Sequence, residues 1–392
     1  MQRIGIYGGS FQPPHIGHVR GAEYARQALG LDKLLVIPAA QNPHKPLDPA
    51  APGPQQRLEL ARLAFSHIPG VEVSSLELDR GGLSYTVDTL QQLKKADPEA
   101  ELVLLLGSDM LEGFPCWYQS EQICRLAKLA VIHRGGREET QRVQQLSSTL
   151  EQLGAQITVL PNPVTSISST QLRRMLILGC ADSYLPENVA EYIRENRLFE
   201  TGQDLKKLPE PQLEAMVKKL LKPERVAHVL GCRDTAVALA RRWGADPVAA
   251  ARAGLLHDVT KALDGPLQLC FCQSYGVSLD EFSRENPKTL HALTGSLAAQ
   301  RVFGEEKAVV EAIRTHTTGE PGMNTLQKII YVADYMEPNR NFPGVEQLRH
   351  LAFTDLDGAL RLGLEMTLQV LRQQGSEISP QSRQALNWLR QA

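Results

Sequence analysis

Arg3-Ile4-Gly5-Ile6-Tyr7-Gly8-Gly9-Ser10-Phe11-Gln12-Pro13-Pro14-His15-Ile16-Gly17-His18 stands near the start of a 392-residue chain. Its first five residues are a short apolar run of strand type, and a helical pattern follows from Val19 to Leu29. A strand, a glycine turn and a helix start together make an anion site. The glycines let the backbone approach a phosphate closely, and the helix end supplies unpaired N–H groups and a positive dipole. His15 and His18 are three apart, so both can face one ligand, and Pro13-Pro14 fix the approach. Gly8, Gly9, Ser10 and Phe11 are read as contacts to the bound phosphate group, with the two histidines beside them.

Outward from this stretch, strand-like runs alternate with helical ones. Residues 34–38, 102–107, 130–132 and 157–160 read as buried strands, with helical patterns such as Gln56–Phe65 and Thr86–Lys95 between them. Such alternation implies βαβ units and a parallel sheet, whose ligands bind beyond the carboxyl ends of the strands. The Gly8–His18 loop, Gly107-Ser108-Asp109 and His133-Arg134 all fall there. After the polar segment Thr201–Leu208 no strand signal appears. Pro223 opens a helix that stops at Gly244, Asp246-Pro247 and Asn286-Pro287 cap the next ones, a further helix ends at Gly319, and Asn324 caps another. The expected organisation is an α/β Rossmann-like domain over residues 1–200, a linker over 201–208 and an all-α domain over 209–392.

Composition narrows the class. The formal charge is −2, with 42% hydrophobic and 22% charged residues, which argues against a nucleic-acid or membrane-surface binder. No apolar run approaches spanning length. Met1-Gln2-Arg3-Ile4 runs straight into a strand, so no signal peptide is expected. Six cysteines lack a framework and read as reduced thiols of a cytoplasmic protein. Oligomeric state stays open, a homo-oligomer included.

Further segments carry a resemblance. Ser166-Ile167-Ser168-Ser169-Thr170-Gln171-Leu172-Arg173 sets hydroxyls at a helix start with an arginine one turn in. Asn42-Pro43-His44-Lys45, Ser84-Tyr85-Thr86-x-x-Thr89, Gly107-Ser108-Asp109 and Trp117 accompany it. Together with the first stretch these resemble the nicotinate-nucleotide adenylyltransferases of the nucleotidylyltransferase superfamily. That family joins ATP and nicotinate mononucleotide into deamido-NAD and pyrophosphate. The resemblance implies that His15, His18, Lys45 and Arg173 are catalytic, holding and neutralising the triphosphate. Gly107, Asp109, Arg134, Ser168, Ser169 and Thr170 would contact nucleotide, Trp117 would stack on the pyridine ring, and Thr86 would sit near its carboxylate. Mg²⁺ would arrive with ATP. Gln12 departs from the acid or Asn common at its position.

In the helical half, His228, His257, Asp258, His291, His316 and Asp334 are metal-type side chains amid apolar helical residues. They include four of that half's five histidines, with only His350 outside the set. Imidazole with carboxylate suits Fe, Mn, Zn or Ni. The pattern resembles the HD phosphohydrolase superfamily, and His316-Thr317-Thr318-Gly319 with Ala333-Asp334-Tyr335-Met336-Glu337-Pro338-x-Arg340 resembles its YqeK-like branch, which is linked to symmetrical hydrolysis of diadenosine tetraphosphate with iron favoured. The resemblance implies two metals bridged by Asp258: one completed by His228, His257 and Asp334, the other by His291 and His316. Arg225, Lys261, Thr318, Gly319 and Arg340 would contact phosphate or nucleotide, Lys261 as a catalytic group.

The resulting expectation is a bifunctional enzyme, an adenylyltransferase of NAD synthesis fused to a dinuclear hydrolase giving two ADP. Two alternatives stay open. The HD half could be a different nucleotide phosphohydrolase or a nucleotide-sensing module, and the first half could use another acceptor such as nicotinamide mononucleotide.

Overall fold

The computed structural model describes residues 1–43, 51–133, 137–152, 154–163, 165 and 167–391. They divide into two compact units. One comprises Met1–Ile177 with Ala181–Gln203, the other Leu178–Cys180 with Asp204–Ala392.

Among the described residues, the first unit holds one parallel sheet in the order β3-β2-β1-β4-β5-β6. The strands are β1 Arg3–Gly9, β2 Lys33–Pro38, β3 Val71–Val73, β4 Glu101–Gly107, β5 Lys128–Ile132 and β6 Ile157–Leu160. Their apolar runs are buried on both faces: successive residues Leu34, Leu35, Val36 and Ile37 point alternately to opposite sides and all are buried. Gly5 is required where it stands, because a Cβ there would lie 2.5 Å from the Leu31 side chain and 2.7 Å from that of Leu34. β1 pairs with β2 on one side and β4 on the other. The strand order reverses at this point, so the loops after β1 and β4 diverge and leave a crevice beyond their carboxyl ends. The Gly8–His18 segment and Gly107-Ser108-Asp109 are those loops. β3, only three residues long, was not among the expected strands.

The second unit is built of helices. Asp246 caps its helix by accepting from Val248 N, Asn324 accepts from Gln327 N, and Gly244 takes a left-handed φ of 71°. The Asn286 cap differs from expectation. Its amide donates to Phe282 O and Glu377, and Pro287–Thr289 forms a 3-10 turn before the helix Leu290–Arg301. The expected linker 201–208 belongs to this unit from Asp204 onward. Lys207 N donates to Phe303 O, Arg252 donates to Leu208 O, and Leu205 is buried. No described helix is long and apolar enough to cross a membrane.

Candidate nucleotide site and candidate metal centre

The phosphate loop is assembled from both ends of the first unit. His15 is the N-cap of the helix Ile16–Ala28, and both histidines are buried. His15 N donates to His18 Nδ1 at 3.2 Å, and the rings stack with centroids 3.7 Å apart. An accepting Nδ1 leaves the proton of a neutral imidazole on Nε2, so His18 Nε2 is a donor suited to a phosphoryl oxygen. A Cβ added at Gly8 would meet nothing within 4 Å, as expected of a backbone position open to a ligand. Phe11 has a left-handed φ of 45° and is buried against Tyr7, Phe65 and His18. Far along the chain, Ser169 Oγ donates to Pro13 O at 3.1 Å, and Arg173 donates to Gln12 O at 2.8 Å and to Thr170 Oγ1 at 3.2 Å. Ser168 Oγ accepts from Gln171 N. The two histidines, Ser169, Thr170 and Arg173 are thus brought to one place. The bracing of Gln12 runs through its carbonyl, so its unusual side chain is compatible with the loop.

The remaining expected contacts sort differently. Gly107 ends β4, Ser108 is buried and donates to Glu139, and Asp109 lies exposed on the turn Ser108–Met110. Trp117 is half-buried on Phe114, with ring centroids 5.3 Å apart. Thr86 starts the helix Thr86–Ala96, half-buried, while Tyr85 before it stacks on Tyr118. Thr89 of the same motif is fully buried and donates to Glu77 at 2.6 Å, a bracing role. Lys45 and Arg134 lie outside the described residues, as do His44 and Ser166. Arg57 is a residue the sequence reading missed. Buried at the carboxyl end of β2, it donates to Ala39 O at 2.5 Å and Ala40 O at 2.9 Å.

In the helical unit all six metal-type residues converge. His228 lies in the helix Pro223–Trp243, His257 and His316 directly follow helices Pro247–Leu256 and Lys307–Thr315, His291 starts Leu290–Arg301, and Asp334 lies in Thr325–Met336. His228, His257 and Asp334 offer ligand atoms within 4.8 Å of one another, and so do His257, Asp258 and His316. Asp258 faces both sides. Oδ2 lies 3.7 Å from His228 Nε2 and 3.6 Å from His257 Nε2, whereas Oδ1 lies 3.6 Å from His291 Nε2 and 3.9 Å from His316 Nε2.

The tautomers follow from the partners, since a carbonyl can only accept. His257 Nδ1 donates to Gly254 O at 2.7 Å, His291 Nδ1 to Lys288 O at 2.8 Å, and His316 Nδ1 to Ile313 O at 2.6 Å. His228 stands between two carboxylates, with Nδ1 3.1 Å from Glu337 Oε1 and Nε2 3.1 Å from Asp334 Oδ1. The Nε2 atoms of His257, His291 and His316 therefore carry lone pairs facing the centre. Burial lowers the pKa of His257, that of His291 to about 3 and that of His316 to about 4, so these imidazoles are neutral near pH 7. Burial opposes ionisation of Asp258 and Asp334, but the neighbouring imidazoles, with Lys261 beside Asp258 and Arg340 beside Asp334, outweigh it and hold both carboxyls below the usual range.

Both buried oxygens of Asp258 lack a hydrogen bond among the described residues. Arg225 Nη2 approaches Oδ2 at 2.7 Å as an ion pair only. A buried carboxylate left this way, ringed by imidazole lone pairs, fits divalent cations. Arg340 pairs with Asp334 at 2.7 Å, and Lys261 Nζ donates to His291 Nε2 at 2.7 Å. Thr317 Oγ1 lies 3.1 Å from His291 Nε2 and 3.2 Å from His316 Nε2. Thr318 and Gly319, expected as nucleotide contacts, follow it in the chain. Thr318 bonds Gln381, and Gly319 is a left-handed helix stop at φ 65°. Glu337 and Arg349 are further residues that drew no role from the sequence.

A cytidylyltransferase-like family model matches residues 6–175 and an HD domain model matches residues 225–339. The "Probable nicotinate-nucleotide adenylyltransferase" of Hydrogenovibrio crunogenus is 40% identical over 208 residues, covering 50% of this chain and 97% of that protein. The protein of the same description from Gloeobacter violaceus is 37% identical over 201 residues, covering 51% and 97%. Among solved structures, a "predicted HD superfamily hydrolase involved in NAD metabolism" from Clostridium acetobutylicum is 36% identical, covers 47% of this chain and 98% of that one, and has a TM-score of 0.46.

Proposed function

The chain belongs, through its α/β half, to the nicotinate-nucleotide adenylyltransferase family, and on that premise we propose a bifunctional enzyme of NAD synthesis and nucleotide hydrolysis. The first unit transfers AMP from ATP, accompanied by Mg²⁺, to nicotinate mononucleotide. The acceptor phosphate attacks the α-phosphorus in line and pyrophosphate leaves, so positioning and charge neutralisation carry the reaction. His18 Nε2–H donates to an α-phosphoryl oxygen, and His15 stacks beneath it. Arg173 braces Gln12 and adds positive charge, and Lys45 is read as a further cation for the triphosphate. The observation that carries this reading is the joining of Pro13 to Ser169 and of Gln12 to Arg173 over the sheet's switch point. Purified chain with ATP should form deamido-NAD from nicotinate mononucleotide. Equal kcat/KM with nicotinamide mononucleotide would overturn the acceptor assignment.

The HD domain is read as a dinuclear phosphohydrolase for diadenosine tetraphosphate. The division of Asp258, one oxygen toward His228 and His257 and the other toward His291 and His316, supports a site at which these residues would hold two divalent metals, with iron the metal implied by the resemblance. When bound, such metals supply a water nucleophile and stabilise the leaving oxygen. Arg225, Lys261 and Arg340, each about a third exposed at the rim, give a cationic mouth suited to a polyphosphate. With Fe²⁺, diadenosine tetraphosphate should give two ADP. ATP plus AMP would overturn the symmetric assignment, and no hydrolysis of any nucleotide would favour a sensing module.

A further inference from the structure

Three of the four centre histidines are oriented by a carbonyl three residues earlier, within their own segment. His228 cannot use this device. It sits inside the helix Pro223–Trp243, where the preceding carbonyls serve the helix ladder. Its partner comes from 109 residues away. Glu337, 1% exposed, meets Nδ1 with Oε1 and receives Asn339 N and Asn339 Nδ2 on Oε2, both at 2.8 Å. Asp334 Oδ1 lies equally 3.1 Å from His228 Nε2, and we propose that Glu337 is a positioning residue that holds the proton on Nδ1 and leaves the Nε2 lone pair for a metal at the subsite shared with His257 and Asp334. The inference rests on the metal-centre reading above.

Independent features converge on Glu337. Arg349 gathers the chain that carries it, donating to Met336 O and Glu337 O, each at 3.0 Å, and to Arg340 O at 2.9 Å. Gly231, one turn after His228, has no Cβ where one would lie 2.4 Å from Glu337 Oε2. Glycine is a poor residue inside a helix, and here its absence of side chain makes the room the carboxylate needs. Both carboxylate oxygens are used as acceptors. Three donors, one from His228 and two from Asn339, converge on the two oxygens. A glutamine amide would set its NH₂ against either His228 Nδ1–H or the Asn339 donors. In the first arrangement His228 must move its proton to Nε2 and lose its lone pair toward the centre.

The full chain, stripped of metal, would be titrated with Zn²⁺ against a chromogenic chelator, and the His228 tautomer read from imidazole ¹⁵N shifts. Glu337→Gln should weaken the first Zn²⁺ by about 10- to 100-fold and shift His228 from the Nδ1–H form. Gly231→Ala should weaken it too, although it touches no ligand, and Glu337→Asp should recover part of the affinity. Cooperative unfolding of the metal-free variants separates these effects from misfolding. Wild-type affinity in Glu337→Gln, or in a folded Gly231→Ala, would overturn the positioning role. A wild-type chain that binds no Zn²⁺ would instead bring down the metal-centre reading itself.

Discussion

Replacing His18 separates two things that one imidazole does. Its Nδ1 accepts the His15 N–H, one of the orphan donors of the helix start, and its Nε2–H is assigned to the α-phosphoryl oxygen. His18→Ala removes both. Losing the cap acceptor costs about 0.5–2 kcal/mol of stability, which lowers the unfolding midpoint of a unit of this size by roughly 1–8 °C. Losing a donor aimed at developing phosphoryl charge costs about 10²–10³ in kcat. His18→Gln isolates the second effect. Glutamine at the third helical position is the usual capping-box partner of the N-cap N–H, so most of the lost stability should return while turnover stays low. Calorimetry and pyrophosphate release with ATP and nicotinate mononucleotide give the two readouts. If folded His18→Gln turned over within a few-fold of wild type, imidazole donation would be refuted and His18 would be a capping residue only.

Ser169→Ala removes the hydrogen bond to Pro13 O, worth about 1 kcal/mol, and should lower kcat/KM for ATP by roughly five-fold with little change in folding. Asp258→Asn should abolish metal-dependent nucleotide hydrolysis and leave deamido-NAD formation intact, checked by chromatography of both product sets from one preparation. Added divalent metal at a hundred times its Kd should stabilise the helical unit by about 2.7 kcal/mol, visible as a rise in its calorimetric midpoint that a chelator reverses. A fragment beginning at Asp204 should unfold at a higher temperature than one beginning at Pro209. The shorter fragment loses the Lys207–Phe303 and Arg252–Leu208 hydrogen bonds. Equal midpoints would show that residues 204–208 contribute nothing.

Chemistry encoded in contiguous residues was legible in the sequence. The Gly8–His18 stretch and the Ser168–Arg173 run declare themselves through residue type and short spacing, and the six metal-type side chains, spread from His228 to Asp334, through residue type and helical setting; the structure brings each set together. Helix caps at Asp246 and Asn324 were readable for the same reason, since the cap and its N–H lie within three residues. Roles that depend on distant partners were not. Thr89 matches a substrate-side motif, yet its hydroxyl serves a buried Glu77. Thr317 drew no role from the sequence, yet its hydroxyl lies between His291 and His316. Glu337 looks like an ordinary acid until His228 is seen against it, and Arg57 like a surface arginine until the carbonyls of Ala39 and Ala40 are placed around it. Charge, tautomer and exposure at such positions come from packing that no local pattern records.

The ties from Ser169 to Pro13 and from Arg173 to Gln12 also order events during synthesis. The phosphate loop is among the first segments made, yet the groups that close it lie 156 and 161 residues later. At about 5–20 residues per second the interval is on the order of ten seconds. Throughout that time the emerging chain carries both histidines without the struts that set the loop. The loop therefore gains these two struts only after the last strand and the following helix have been made.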